Sequence, residues 1–483
     1  MMRSLWAGVS GLKTHQTKMD VIGNNIANVN TVGYKAQSAT FQDLVYQTTQ
    51  SSSGANENTG RAGTNARQIG LGVTQGAIST NIMARGASQN TGNAFDIQLN
   101  SDAFFIVNDG QNNFFTRAGT FTVDGNGTLC MTTNGYKVQG WQADESGDII
   151  KNTVSDLKVM SPENKVQDPE ATKEAYLSGI IDKNDPSLSE EKGGTVSTIQ
   201  FYDAKGYSYT LKMAITENGT EGENPKYAIK AIDLLNDQGK SLFDLYDSDQ
   251  LEKDPTYVKQ FDTAEKKKAA LDALQLFDGK DSQDLIYNKT TGAWANPDTR
   301  DFTLDVSKFV GSTIDVDGVL GGMDNQEIKV DVGLTKNIDN NGVSTVAGRT
   351  GNYQNSAIGA GRAAGEMDSL SVTADGRIYA SYTNGVNKCL GQISVANFAN
   401  PAGLEKIGEN LYAATQNSGQ FDGVGMDVTA DGGSMTSGVL EMSNVDLSSE
   451  FTEMITTQRG FQANSRIITV SDTMIEELVN LKR

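Results

Sequence analysis

The sequence predicts a multidomain α+β chain. Paired N- and C-terminal coiled-coil-type helices enclose nested mainly-β domains, with an inserted outer domain at the centre. Three observations carry this reading. Apolar residues recur every seven positions at both ends of the chain. Asp-Gly and Asn-Gly dipeptides punctuate short apolar runs between those ends. Charge and proline content change together in the middle third. The length, 483 residues, suits two to four domains of ordinary size.

The N-terminal helix is read from about Ser4 to Asn28, where Leu5, Leu12, Met19 and Ile26 recur every seven residues and Val9 lies between the first two. Gln16 and Gly23 take the intermediate place in later heptads. At the other end Leu447, Met454, Phe461, Ile468 and Ile475 keep the same period, with Phe451 and Val479 at the intermediate position. Gln458, Ser465 and Asp472 occupy that position in between. Each stripe is a narrow apolar seam of the coiled-coil kind. An ordinary core helix is the commoner source of such a stripe. Here, however, a two-helix pair is too small to bury Trp6, Ile22, Ile455, Ile467, Met474, Leu478 and Leu481 as well as the seam. Leaving that surface wet would be an aggregation liability. The seams therefore imply further partners on other chains.

Between the helices the signal is β. Asp109-Gly110, Asp124-Gly125, Asn126-Gly127, Asn134-Gly135, Asp375-Gly376 and Asn384-Gly385 are dipeptides that accept the positive φ of hairpin turns. Phe104–Val107 and Arg377–Ala380 read as strands beside such turns. The polar Gly/Ser/Asn stretch Ser51–Gly63 reads as a flexible connector.

The middle of the chain is composed differently. Residues 147–355 hold 23 basic and 36 acidic residues, a net of −13, and the remainder of the chain contributes −7 of the total −20. Six of the seven prolines lie there, Pro401 being the exception. Thr198–Tyr202 with Tyr207–Met213 reads as a hairpin, and Ala264–Leu276 as a short helix. The expected division is 1–34 with 443–483 for the terminal helices, 35–80 for a connector, 81–145 with 356–442 for a discontinuous inner β domain, and 146–355 for the acidic insert, as one subdomain or two.

Composition excludes several classes of function. A charge of −20 opposes binding to nucleic acid, which needs basic patches, and to an anionic membrane surface. No segment reaches the apolar length of a membrane span, and residues 1–30 lack the apolar core and cleavage site of a secretory signal. With one histidine, His15, and two cysteines, Cys130 and Cys389, a zinc site or a Ser-His or Cys-His nucleophile has almost no material. No catalytic residue, metal ligand or cofactor is expected. The run Asp244, Asp247, Asp249 lacks the glycine and terminal glutamate of a calcium loop. Cys130 is expected to pack as a small hydrophobe. About 11% glycine, against about 7% in ordinary proteins, points to many tight turns.

The segment Asn24-Asn25-Ile26-Ala27-Asn28-Val29-Asn30-Thr31-Val32-Gly33-Tyr34-Lys35 reads locally as an asparagine-rich helix end and turn. Its amides could also serve contacts between helices. Gln458-Arg459-Gly460-Phe461-Gln462-Ala463-Asn464-Ser465 interleaves polar groups with the C-terminal seam in the same way. Gly460, inside a helix where glycine costs about 1 kcal/mol relative to alanine, suggests the close approach of another backbone.

These two segments, together with Asp20–Gly23 and Ser443-Asn444-Val445-Asp446-Leu447, resemble the signatures of the bacterial flagellar rod and hook protein family. Thr116-Arg117-Ala118-Gly119, Gly135–Trp141, and Leu390-Gly391-Gln392 through Phe398-Ala399-Asn400-Pro401-Ala402-Gly403-Leu404 resemble it too. The resemblance spans roughly 1–145 and 361–483. It carries Asn24, Asn25, Asn28, Asn30, Gly33, Tyr34, Asn444, Asp446, Gln458, Arg459, Gln462 and Asn464 as motif positions. One departure is Asn100–Phe105, where many relatives place Gly-x-Gly before the Phe-Phe. The insert matches no motif of the family. The insert and the Asn-Pro-x-Gly-Leu segment favour the hook branch over a distal rod or other axial protein.

The resemblance implies a structural subunit, not an enzyme, exported through the flagellar type III apparatus without a cleaved signal. It implies self-assembly into a curved, flexible tube outside the cell, a universal joint passing motor torque from rod to filament. It also implies partners in the hook cap, distal rod and hook-filament junction proteins. A ligand-binding or enzymatic module in the insert is the remote alternative.

Overall fold

A computed structural model describes residues 2–54, 62–144, 147–254, 256–295 and 300–481. It shows mixed helix and strand, with a long helix near each end and many β-sheets between. The chain divides into two compact units. The first is Met1–Lys165 with Asp368–Ser381 and Asn387–Arg483, and the second is Val166–Met367 with Tyr382–Val386.

In the first unit the N-terminal helix spans Met2–Ala27 and the C-terminal helix Leu447–Asn480. The latter starts where Asp446 accepts the Ser448 amide at 2.9 Å, which satisfies one of the unpaired donors of the first turn. Strands from before and after the middle of the chain share one antiparallel sheet. Lys137–Gln142 lies between Phe104–Asn108 and Asn387–Ile393, with Gly140 opposite Ile393 and Val138 opposite Val107. Asn113–Thr116, Leu411–Ala413 and Glu405–Gly408 continue beyond Phe104–Asn108. Phe104, Ile106, Phe115, Phe398 and Tyr412 pack together beneath it. The Asp-Gly and Asn-Gly turns fall between strands as expected. Gly110, Gly127, Gly135, Gly376 and Gly385 all adopt positive φ.

An extended ribbon follows the N-terminal helix. Gln37–Asp43 pairs with Val73–Thr80, and Tyr46–Gln50 with Arg67–Gly70. Of the polar stretch read as a connector, residues 55–61 lie outside the described residues.

The second unit holds two four-stranded sheets. One runs Asp301–Asp305, Glu327–Asn337, Glu174–Ile181, Ala347–Thr350, with a parallel pair at its centre. The other runs Thr195–Tyr202, Ser208–Glu221, Asn224–Leu235, Gln283–Ile286. Leu177, Ile328 and Val330 from the first sheet and Ile199, Phe201, Leu211 and Ile229 from the second belong to one continuous core. The expected hairpin is present, with Thr198 opposite Lys212, and the short helix is Ala264–Leu274. Asp247 is buried as an acceptor for the Gln260 and Phe261 amides and the Tyr257 hydroxyl. That carboxylate organises a loop.

The unit borders differ from the composition shift by about one strand at each side. Residues 147–165 join the first unit through backbone pairing. The Leu157 amide donates to Val138 at 3.2 Å and the Val159 amide to Gly127 at 2.8 Å, while Trp141 Nε1 donates to Asn152 at 2.8 Å. Residues 356–367 join the second unit, where the Arg362 amide donates to Glu170 at 2.7 Å. Charge and proline report exposure, and exposure does not say which sheet a backbone joins.

Phe201 is fully buried where both sheets of the second unit meet. Its replacement by alanine should destabilise that unit by about 3–5 kcal/mol, read as a lower urea midpoint with the slope unchanged.

Candidate functional site

The two terminal helices run antiparallel along each other in the first unit, and the residues that touch are small or polar. Ser4 Oγ lies 3.4 Å from Ser471 Oγ. A Cβ on Gly8 would stand 3.2 Å from Ile468 Cγ1, and one on Gly11 would stand 2.7 Å from Asn464 Nδ2. Gly460 faces His15, whose ring would be 2.8 Å from an added Cβ. Further along, Lys18 pairs with Glu453 at 3.0 Å and Asn25 Nδ2 donates to Glu450 at 2.9 Å. Positions 4, 8, 11, 15, 18 and 25 keep a spacing near 3.5, which holds one stripe of a helix against a partner. Burial lowers the pKa of His15 and raises that of Glu450.

Most of the apolar stripe that the heptad reading singled out lies beside this contact, although Ile468 enters it against Gly8. Leu5, Leu12, Met19 and Ile26 are half-buried beside it, and Val9 is exposed. On the other helix Met454, Phe461, Ile468 and Ile475 are half-buried, while Leu447, Phe451 and Val479 are exposed. Trp6 is 69% exposed and Leu481 81%. Among the described residues of the C-terminal helix only Thr457 and Ser471 are buried. The reason is steric. Glycine leaves space for a side chain of the other helix, so Gly8, Gly11 and Gly460 face inward against Ile468, Asn464 and His15, and most of the bulky stripe lies to the side. Gly8 and Gly11, which the heptad reading passed over, mark the contact together with Gly460, while an added Cβ on Gly23, at the intermediate heptad position, has nothing within 4 Å.

Where the N-terminal helix ends, the asparagine motif ties both chain ends together. Asn25 Oδ1 accepts the Gln37 amide at 3.0 Å and the Tyr34 hydroxyl at 3.2 Å, and its Nδ2 also donates to Gln37 O at 2.8 Å. Asn24 donates to Tyr34, and Asn28 donates back to Asn24. Asn444 Oδ1 accepts the Ala36 amide at 2.7 Å, while its Nδ2 donates to Asn81 and Ala84. Gly33 is needed for its positive φ of 69° and because a Cβ there would lie 2.7 Å from the Ala118 amide. Its own amide donates to Glu441 O at 2.8 Å.

At the centre of this junction stands an ion pair that sequence reading missed. Lys35 Nζ lies 2.6 Å from Glu441 Oε1, with both side chains almost fully buried, and donates to Ala84 O at 2.7 Å. Arg117, equally buried, donates to Ser101 O at 2.6 Å and approaches Glu441 Oε2 at 3.9 Å. Burial pushes the Lys35 pKa down, and Glu441 opposes that shift. Lys406 covers the junction, donating to Lys35 O at 3.0 Å over the Tyr34 ring. Burial lowers its pKa to about 8. Lys35 and Arg117 stood inside quoted motifs, but nothing in the pattern marked Glu441 as their partner.

Of the motif positions, Asn24, Asn25, Gly33, Tyr34 and Asn444 meet at this junction, Asn28 and Asp446 bond within their own helix ends, and Asn464 meets Gly11. Asn30, Gln458, Arg459 and Gln462 are exposed. Cys130 and Cys389 are buried free thiols. Among the described residues no group of His, Cys, Asp and Glu is arranged to hold a metal. No helix among them is long and apolar enough to cross a membrane.

A body of β-sheet carrying joined terminal helices, with the motif residues at the joint, defines an axial subunit of the bacterial flagellum. Family models agree: the flagella basal body rod protein model matches residues 5–35, the flagellar hook protein FlgE/F/G D1 domain 98–175, and the flagellar basal body rod FlgEFG protein C-terminal model 436–481. The flagellar hook protein FlgE of Borreliella burgdorferi is 36% identical over the whole of both chains, and that of Treponema pallidum 34%. The flagellar basal-body rod protein FlgG of Bacillus subtilis is 29% identical over the same extent. This chain belongs to the flagellar hook protein FlgE family. It is a structural subunit of the flagellar hook and not an enzyme.

Two outcomes test the junction. Glu441→Ala leaves the Lys35 ammonium buried without its carboxylate and should destabilise the first unit by about 3–5 kcal/mol; Lys35→Met combined with Glu441→Leu should recover part of that in thermal melts. Lys406 titrates near pH 8 in the folded chain, against 10.5 ordinarily. Between those values the unfolded chain binds more protons, so this residue's contribution to stability rises with pH. Melting temperatures of wild type and Lys406→Met, compared from pH 7 to 10.5, should move in the wild type's favour above pH 8.

Proposed function

We propose that copies of this chain polymerise into the helical, curved tube of the hook, with the joined terminal helices innermost and the β units outside. The tube acts as a universal joint that carries motor torque from rod to filament. The observation that carries this reading is the exposure of a long apolar surface on both helices once their mutual contact is made. Val9, Phe451, Ile455, Ile467, Val470, Met474 and Leu478 are all more than 40% exposed. Such a surface needs a partner. A head-to-tail contact repeated on identical copies gives an open helical filament.

The finer reading treats the helices as a coiled-coil-type polymerisation domain, 1–34 with 443–483, and 35–80 as its connector. The β flanks 81–145 and 356–442 form an inner domain, and the acidic middle forms an outer one. In it the seam positions Leu5, Val9, Leu12, Met19, Ile26, Leu447, Phe451, Met454, Phe461, Ile468 and Ile475 serve contacts between copies. The subunit leaves the cell through the flagellar export apparatus without a cleaved signal and works outside it. Its neighbours are further copies, the hook cap, the distal rod and the hook-filament junction proteins. The outer acidic unit meets neighbours through hydrated polar contacts, which can slide as the curved tube turns.

Removal of residues 2–30 should abolish tube formation by purified protein while leaving the second unit folded. Electron microscopy and circular dichroism read both, and normal tubes from the truncated chain would contradict the proposal.

A further inference from the structure

The N-terminal helix and the ribbon beside it build an apolar groove of about 370 Å³, lined by Arg3, Trp6, Leu44, Val45 and Leu71. The groove is a product of close backbone packing. A Cβ on Gly72 would lie 3.3 Å from Ala7 Cα, and Ser10 Oγ accepts the Val73 amide at 3.3 Å. This sets the bend at Leu44–Val45 and Leu71 against the face of the helix that carries Trp6. Trp6 and Val45 are each 69% exposed.

The same chain carries a surface of matching character. Beyond Ser471, the C-terminal helix exposes Met474, Leu478 and Leu481, spaced by four and three residues, so that they share one face. A shallow concavity along it is lined by Thr473, Met474, Glu477 and Leu478. Past Ser471, which meets Ser4, Met474, Leu478 and Leu481 are 44%, 49% and 81% exposed, so this face is open to a partner. Charge is complementary. The groove carries the cation Arg3 at its rim, and the helical face carries the anion Glu477.

We propose that the occupant of the Trp6 groove is a second copy of this chain, which inserts the Met474–Leu478–Leu481 face of its C-terminal helix and pairs its Glu477 with Arg3. The contact is heterologous: groove and helical face are different surfaces, so each copy offers one and receives the other. That is the geometry of an open polymer. The inference rests on the reading of the chain as a tube-forming subunit and names the surfaces that join.

The test uses the full-length chain, with tubes scored by sedimentation and electron microscopy. Arg3→Glu alone and Glu477→Arg alone should each lower the sedimented fraction at least tenfold, and the two together in one chain should recover at least half of it. In a second arm, chains carrying Trp6→Cys are mixed with chains carrying Leu478→Cys under mild oxidation. A disulfide joining the two kinds of chain is expected. Single reversals that assemble like wild type, a double reversal that recovers nothing, or cross-links confined to like chains would overturn the docking. Circular dichroism confirms that each variant folds. Failure of the wild-type chain itself to form tubes would count against the tube reading, which separates the two.

Discussion

The closeness of the two terminal helices is the constraint on which the rest depends. A β-carbon on Gly11 or Gly460 would collide with the Asn464 or His15 side chain of the partner helix, and one on Gly8 would crowd Ile468, so the helices meet closely, glycine against side chain. Glycine inside a helix is unfavourable by itself. It persists here where a larger side chain would collide. Because the small stripe is turned inward, much of the bulky surface on both helices, from Trp6 and Val9 to Phe451, Ile455 and Val470, is left exposed. The apolar surface that would close a simple helix pair is left for other molecules.

The junction at Lys35 and Glu441 fixes how these helices leave the β body. A buried ion pair does not by itself add much stability, since desolvation offsets most of the attraction. It does impose geometry. Lys35, the Gly33 amide and the Asn444 side chain are all satisfied at once in this arrangement, which ties the exit of one helix to the entry of the other. For a subunit that carries torque, a rigid joint between tube-forming helices and body transmits force, whereas a loose one would absorb it. The asparagines matter because each amide both donates and accepts, so a single side chain such as Asn25 bridges a strand, a tyrosine and the second helix.

Much of this was legible in the sequence. Helix positions followed from apolar period, and the six Asp-Gly and Asn-Gly dipeptides read as turns sat between strands, all but Gly125 with the positive φ that few residues accept. The facing of the helices was not legible from the heptad alone. Periodicity shows that Leu5, Leu12 and Met19 share a face, but not which face meets the partner, and the answer lay in Gly8 and Gly11. The pairing of Lys35 with Glu441 was out of reach for another reason. The two are 406 positions apart, and their encounter is a product of the assembled sheet. The unit borders were displaced because composition reports solvent and not strand pairing.

The central claim is that the apolar stripes turned outward by the close helix contact are covered by neighbouring copies. Trp6 reports on this directly, being far more exposed than Trp141, which is buried, or Trp294, which is half-buried. Acrylamide quenching of tryptophan fluorescence, measured on monomer and on assembled tubes at equal chain concentration, is the most direct measurement. Strong quenching of the monomer that falls severalfold on assembly is the predicted result. Equal quenching in both states would show that Trp6 stays in water and that the stripes are not where copies meet.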